Sequence, residues 1–299
     1  MIQASLAVAL ASSIFLTAAA NTPAVNVPPP ADFFNQSWKK MNDTTSYKVV
    51  CTTIPGTVIK NSNLTEAQQA NADLLVSAVT RLAQKETDIV MGKDKKASAT
   101  REKTPSLLPY LAYVGNSLTY EQAQSYTEKT PQFSIQFAVN SQGLYYHAKP
   151  TDPWKLIKSK DLAKSMLENW TSSAITSAVD QKSMHFDSWR GGKPALAVYK
   201  GKLSGDGVQG VITDSIGKTF ADDSNQNEAT IYIDKTTKTW NKMEAVITVN
   251  TGSVTFPLIR TCQFFYGSKD AKVTIPTKVT SVDAKTGANE FMQLVNYVQ

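Results

Sequence analysis

Residues 228–276 read EATIYIDKTTKTWNKMEAVITVNTGSVTFPLIRTCQFFYGSKDAKVTIP. Apolar and polar residues alternate through most of this stretch, and short polar segments at 234–237 and 250–252 interrupt it. Alternation with a period of two is typical of a half-buried β-strand, and such interruptions are typical of hairpin turns. The stretch therefore predicts a run of antiparallel strands, the last of which covers 272–276.

The preceding residues mix helical and strand patterns. Thr65 and Gln68 form a capping box before an apolar periodicity of helical type, and the basic run within 92–106 is typical of an exposed loop. This order of elements favours an antiparallel α+β fold over a parallel α/β fold. We expect helices over 31–43, 64–86, 160–180 and about 207–221, strands over 46–53, 183–189 and 194–203, and a hairpin over 132–149.

The first residues resemble a secretory signal. Residues 1–20 contain no charged side chain, and Ala18 and Ala20 form a small-residue cleavage pattern before Asn21. Prolines at 28–30 indicate a stiff tether over 21–31. We therefore expect a signal peptide over 1–20 and an exported protein, located in the periplasm, cell envelope or extracellular space. The alternative is that the apolar stretch stays uncleaved as an anchor.

The composition is that of a globular protein, with 41% hydrophobic and 19% charged residues. The net charge of +6 is spread along the chain. Dispersed charge of this size does not indicate a nucleic-acid partner, but it is compatible with peripheral contact with an anionic membrane.

The chain has two cysteines, Cys51 and Cys262. In an oxidising compartment an even pair favours one disulfide. Such a bond would join the first predicted strand to one of the last. The alternative is two buried thiols without a covalent link.

Residues suited to catalysis are scarce. The sequence has two histidines, His147 and His185, and none of the common nucleophile, phosphate-binding or zinc motifs. His185 and Asp187 would share one face of a strand, but no nucleophile accompanies them. We therefore expect a non-enzymatic protein with no catalytic residue, no metal site and no cofactor.

Several segments resemble a known family when taken in order. They are SYKV at 46–49, GLYYHAKPTDPWKLI at 143–157, KPALAVYKGKL at 193–203, the hairpins of 231–267, and VTIPTKV at 273–279. Over 130–280 and the first strand, this succession resembles the periplasmic lipoprotein-carrier superfamily with the LolA/LppX-like fold. The chain departs from that pattern in lacking a lipid-anchoring cysteine after the signal and in the length of 56–130.

The resemblance implies an open, incomplete antiparallel β-barrel, a half-barrel, with helices covering the concave face. It places a lipid-binding domain over 32–280 and a C-terminal tail over 281–299. An apolar cavity for acyl chains would lie between the sheet and the helices, and Arg260 would either meet a head group there or lie on the outer face.

The alternating strands supply the residues that would line this cavity. They are Phe133, Ile135, Phe137, Ile231, Ile233, Met243, Ile247, Phe256 and Leu258. The same alternation is expected of a filled core. The sequence thus predicts a carrier or binding protein for a lipid or lipidated molecule. The alternative is a structural or interaction domain of the cell envelope with a filled core and no ligand.

Overall fold

The structure is a computed structural model and describes residues 27–104, 107–129, 131–147, 149, 151–169, 172–216, 226–267 and 271–298. The predicted signal peptide and the first part of the predicted tether lie outside these ranges. The helices are α1 Phe33–Asn42, α2 Glu66–Thr80, α3 Leu107–Val114, α4 Tyr120–Lys129, α5 Lys160–Asn169, α6 Ser172–Ser177, α7 Gly205–Ile216 and α8 Ala284–Val298.

One large sheet contains every strand of the described ranges. The strands are β1 Ser46–Pro55, β2 Ile59–Lys60, β3 Gln84–Met91, β4 Lys96–Lys103, β5 Phe133–Asn140, β6 Gly143–His147, β7 Trp154–Ile157, β8 Val179–Arg190, β9 Leu196–Leu203, β10 Gln226–Asp234, β11 Trp240–Asn250, β12 Val254–Phe265 and β13 Val279–Val282.

The sheet has 13 strands and does not close on itself. Its order is β13-β7-β6-β5-β4-β3-β1-β12-β11-β10-β9-β8, and β2 pairs with β12 beside this path. Neighbouring strands are antiparallel except β13 and β7, which are parallel. The predicted α+β class and the predominantly antiparallel sheet are therefore confirmed.

The second helix is shorter than the sequence pattern predicts. Thr65 and Gln68 form the expected capping box, but α2 ends at Thr80 and the next residues form β3. Side chains of β3 alternate between buried and less buried, and the strand pairs with β1 from Ser46↔Met91 to Thr53↔Gln84. Pairing with β1 therefore overrides the helical pattern at 84–86.

The prediction of an exposed loop over 92–106 was wrong for most of its length. A tight turn leads through Lys95, which has a left-handed backbone with φ 49°, into β4 in the middle of the sheet. Arg101 lies in this strand with its side chain 22% exposed. The segment looks like a loop in sequence because a local pattern does not show that Arg101 and Glu102 pair with residues of β3.

The C-terminal region differs from the prediction at one element. Residues 272–276 do not form a strand, and Ile275 packs beside Tyr145 and Leu156. The following residues form β13 and α8, and Phe291 of α8 contacts the Phe137 ring at 5.3 Å between centroids. The predicted tail is thus packed on the sheet.

We call the inner face the side of the sheet that carries Tyr47, Val49, Cys51 and Thr53, which alternate as buried residues of β1. Two apolar clusters lie on this face. The larger contains residues of α1, α2, α7 and β9–β12, and the smaller contains residues of β5–β7, α5 and α8. Among the helices of the described residues, none is long and apolar enough to cross a membrane.

Candidate functional site

Two cavities lie along β1 on the inner face, and both are lined by Tyr47. The larger has a volume of about 650 Å³ and the smaller about 320 Å³. Both volumes fall in the range of small-molecule sites in proteins. We call the two cavities together the trough.

The larger cavity lies where the start of β1, the β3–β4 turn and α5 meet. Its apolar wall includes Tyr47, Val90, Ala163 and Leu167. Ala163 and Leu167 stand one turn apart on α5, so they share one face of that helix. Four lysines also line this cavity, and we call them the lysine rim: Lys95, Lys96, Lys160 and Lys164.

The smaller cavity lies farther along β1, beside α6 and α7. Val49, Val211 and Met243 contribute apolar surface. Cys51 and Cys262 form a disulfide in its wall, and they are direct partners in the β1–β12 register. The covalent bond thus joins two adjacent strands at the trough.

Asp88 and Arg260 also line the smaller cavity and belong to a cluster of charges on the inner face. The Arg260 guanidinium donates to Glu86, and Arg101 donates to both carboxylate oxygens of Asp88, at 2.6 and 3.2 Å. Gln84 donates to Glu86 at 2.6 Å. We call these five residues the charge cluster.

The charge cluster lies at the centre of the sheet, because β3 and β4 lie between β1 and β5. Buried charges are tolerated when they are paired and hydrogen-bonded. Here three strands supply the partners, so the cluster depends on the register of the whole sheet centre. Arg260 lies on the inner face, and the alternative position on the outer face is wrong.

Burial raises the pKa of a carboxyl, and nearby cations lower it. At Glu86 burial alone would raise the pKa, but Arg260 and Arg101 lower it below its ordinary value. At Asp88 burial dominates and raises the pKa despite the contact with Arg101. The pKa values of the two carboxyls are therefore shifted in opposite directions.

Tyr47 provides a polar group between the two cavities. Burial, with a smaller contribution from Asp88, raises the pKa of its phenol. The hydroxyl consequently stays protonated and can donate a hydrogen bond at any physiological pH. Tyr47 lines both cavities, so it lies beside a molecule bound in either one.

The nine predicted cavity residues share the inner face, as the strand registers place them. Met243 lines the smaller cavity. Ile135 and Phe137 are packed in the smaller apolar cluster, with Phe133 against it. The other five are fully buried in the larger cluster: Ile231, Ile233, Ile247, Phe256 and Leu258. In those places the inner face is filled by packed side chains.

The two histidines lie on distant strands of the sheet, β6 and β8. His147 is buried, stacks on Trp154 at 4.1 Å between centroids, and has Gln136 Oε1 at 3.0 Å from Nε2. The exposed His185 contacts the Ser183 carbonyl oxygen, and Asp187 pairs with Lys200 at 2.9 Å. The described residues hold no cluster of three metal-ligating side chains.

Sequence reasoning missed most of the trough. The alternation of Tyr47, Val49 and Cys51 was visible in the first strand, and the spacing of Lys160 and Lys164 placed both lysines on one face of a helix. The approach of α5 to the β3–β4 turn is a tertiary contact that no local pattern encodes. The sequence therefore did not predict that lysines and apolar residues line the same cavity.

Comparison with known proteins gives little. No protein-family model and no curated protein matches the chain. Among solved structures, a hypothetical protein from Chlamydia trachomatis aligns over 81% of this chain and 97% of its own, with 10% identity and a TM-score of 0.25. That similarity is too weak to carry an argument about fold or function.

Proposed function

We propose that this protein is an exported, non-enzymatic carrier or binding protein for an amphiphilic lipid or lipidated molecule. The observation that carries the proposal is the trough: two cavities along β1 that combine apolar walls with a few polar groups. Ligand sites commonly have this composition. Burial of an acyl chain would supply the affinity, at about 0.8 kcal/mol for each methylene.

The wider architecture supports the same proposal. An unclosed antiparallel sheet with helices packed in both of its inner-face clusters is compatible with a half-barrel whose concave side is covered by helices. The sequence resemblance to the LolA/LppX-like carriers points to the same arrangement. The sequence pattern placed the ligand beside residues of β5 and β10–β12, whereas the proposed site lies along β1, α5 and α7.

A bulky substitution in the larger cavity tests the proposal. Leu167→Trp would fill space in the trough, whereas Leu108→Trp places the same side chain on α3, where Leu108 is 43% exposed. With a fluorescent fatty acid as the probe, we expect a loss of binding in Leu167→Trp and none in Leu108→Trp. Equal binding by the two folded variants would contradict the proposal.

The second candidate is an interaction domain of the cell envelope without a ligand. The filled inner face around Ile231 and Leu258 favours it, and so do exposed apolar side chains on α3 and α4, namely Leu108, Val114 and Tyr126. Failure of the wild-type protein to bind any acyl probe would favour this candidate.

A further inference from the structure

The larger cavity carries unbalanced positive charge. Four lysines line it, and Glu168 is the acidic residue among its described lining residues. The Glu168 carboxylate lies 3.8 Å from the Lys164 ammonium. Within the described part of the chain, Lys95, Lys96 and Lys160 have no ion-pair partner. Three of the four lysine ammonium groups at the cavity are therefore available to bind an anion.

The backbone fixes these lysines beside the apolar wall. Ser159 accepts a hydrogen bond from the Leu162 amide at 3.2 Å at the start of α5. Lys160 and Lys164 are one turn apart, as are Ala163 and Leu167, so charged and apolar residues adjoin at the cavity. Lysine stems can cover apolar surface while the ammonium stays in water.

The opposite wall is held by the β3–β4 turn. The Gly92 amide donates to the Thr45 carbonyl at 2.8 Å, and a Cβ at Gly92 would lie 2.6 Å from that same oxygen. This close approach anchors the turn on the start of β1. It places Lys95 and Lys96 across the cavity from α5.

The other polar end of the trough is a poorer place for an anionic group. Arg260 already donates to Glu86 and to Thr53 Oγ1, and its side chain is 12% exposed. Asp88 lines the same cavity and would repel an anion. An anionic group is therefore better accommodated at the lysine rim, with the chain extending past Tyr47 toward Val49.

We propose that the trough selects amphiphiles that carry a negatively charged group, a carboxylate or a phosphate, and that the lysine rim binds this group. This inference rests on the proposed function, since it assumes that an acyl chain occupies the trough. A carboxylate and a phosphate both accept hydrogen bonds from lysine ammonium groups. The proposal therefore covers either anion.

Three probes with the same fluorophore and the same twelve-carbon chain separate the possibilities: a carboxylic acid, its methyl ester, and a phosphate monoester. We expect the wild-type protein to bind the two anionic probes at least about fivefold more tightly than the ester at low salt, with the difference shrinking at high salt. The stronger of the two anionic probes identifies the source as a fatty acid or a phospholipid-type head group.

The lysine rim is tested with K160Q/K164Q, which removes both positive charges and leaves polar side chains in their place. The matched control is K182Q/K202Q, which removes the same charge from exposed lysines that do not line the trough. We expect the first variant to lose most of the preference for anionic probes while still binding the ester. The control should retain the preference.

The outcomes distinguish the anion proposal from the proposed function. Equal, salt-independent binding of all three probes by wild type would overturn the anion proposal and leave lipid binding intact. A K160Q/K164Q variant that keeps the full preference would also overturn it. If no probe binds, both the anion proposal and the proposed function fail.

Discussion

Arg260 on β12 forms an ion pair with Glu86 on β3 across the intervening strand β1. In the register, Thr53 lies opposite Arg260 and Cys51 lies opposite Glu86. Both intervening side chains are small, so the guanidinium can reach across β1. The pair therefore ties together three neighbouring strands at the centre of the sheet.

Removing the negative charge at Glu86 should destabilise the fold strongly. Glu86→Gln leaves Arg260, which is 12% exposed, without its ionic partner. Breaking a buried ion pair in this way typically costs about 3–5 kcal/mol. Urea denaturation followed by circular dichroism measures the change in the free energy of unfolding.

Glu102→Gln is the matched control for that measurement. Glu102 lies on β4 with its side chain 33% exposed, and its carboxylate is 3.9 Å from the Lys85 ammonium. We expect a loss below about 1 kcal/mol, as is usual for exposed pairs. Equal losses in the two variants would show that the charge cluster does not stabilise the sheet centre.

Acid should remove the contribution of Glu86. Its folded-state pKa is lowered below the ordinary value of 4.5 by Arg260 and Arg101, although burial opposes them. A carboxyl with a lowered folded-state pKa adds stability above its unfolded pKa, and this stability is lost as the pH falls through the folded pKa. The contribution should therefore decline below about pH 5.

The difference in unfolding free energy between wild type and Glu86→Gln isolates this effect. Asp88 acts in the opposite direction, because its raised pKa favours the folded state at low pH. Asp88 is present in both proteins, so the comparison reduces its influence. We expect the two stability curves to converge as the pH falls from 7 to 3, and parallel curves would contradict the assignment.

Two glycines of α7 should respond in opposite ways to alanine. A Cβ at Gly210 meets no atom within 4 Å, whereas a Cβ at Gly207 would lie 2.1 Å from the Ala178 carbonyl oxygen. Gly210→Ala should stabilise the protein by about 0.5–1 kcal/mol through helix propensity. Gly207→Ala should lower the Tm, because α7 must move away from the trough wall.

The same thermal scan serves both variants, and each controls for the other. Equal shifts in Tm would contradict the close approach of α7 to Ala178.

Loss of the disulfide should weaken the fold. The bond joins residues 211 positions apart in the chain, and removing a disulfide commonly costs about 2–5 kcal/mol. We expect this loss in the double variant Cys51→Ser, Cys262→Ser by urea denaturation. A wild-type protein whose stability is unchanged by a reducing agent would argue against the bond.

The hairpins of the C-terminal half could be predicted from the sequence because their signals are local. Residues around Ile231 and Ile247 alternate cleanly, and the turns at 234–237 and 250–252 carry turn-forming residues. The structure places β10, β11 and β12 next to one another, as the pattern predicts.

The centre of the sheet could not be predicted in the same way. Glu86, Asp88 and Arg101 point to the inner face, where polar residues are not expected from a local pattern. Their burial depends on Arg260, which is far away in sequence. Charges that neutralise one another across strands look like a solvated segment when each strand is considered alone.

The candidate site was partly predictable for a related reason. Alternation correctly placed Ile135 and Phe256 on the inner face. Whether that face is filled depends on which helices pack on it, and α2 and α7 fill it beside β10–β12. The open parts lie along β1, beneath α5 and beside α6 and α7, where tertiary contacts determine the space.

Native mass spectrometry of the purified protein, followed by organic extraction and lipid analysis, determines whether the trough holds an anionic lipid. We expect a bound acyl species in near-stoichiometric amount that bears a carboxylate or phosphate and is lost on extraction. A protein that carries no such species, and that fails to take up the fluorescent fatty acid after extraction and refolding, would show that the trough does not bind lipid.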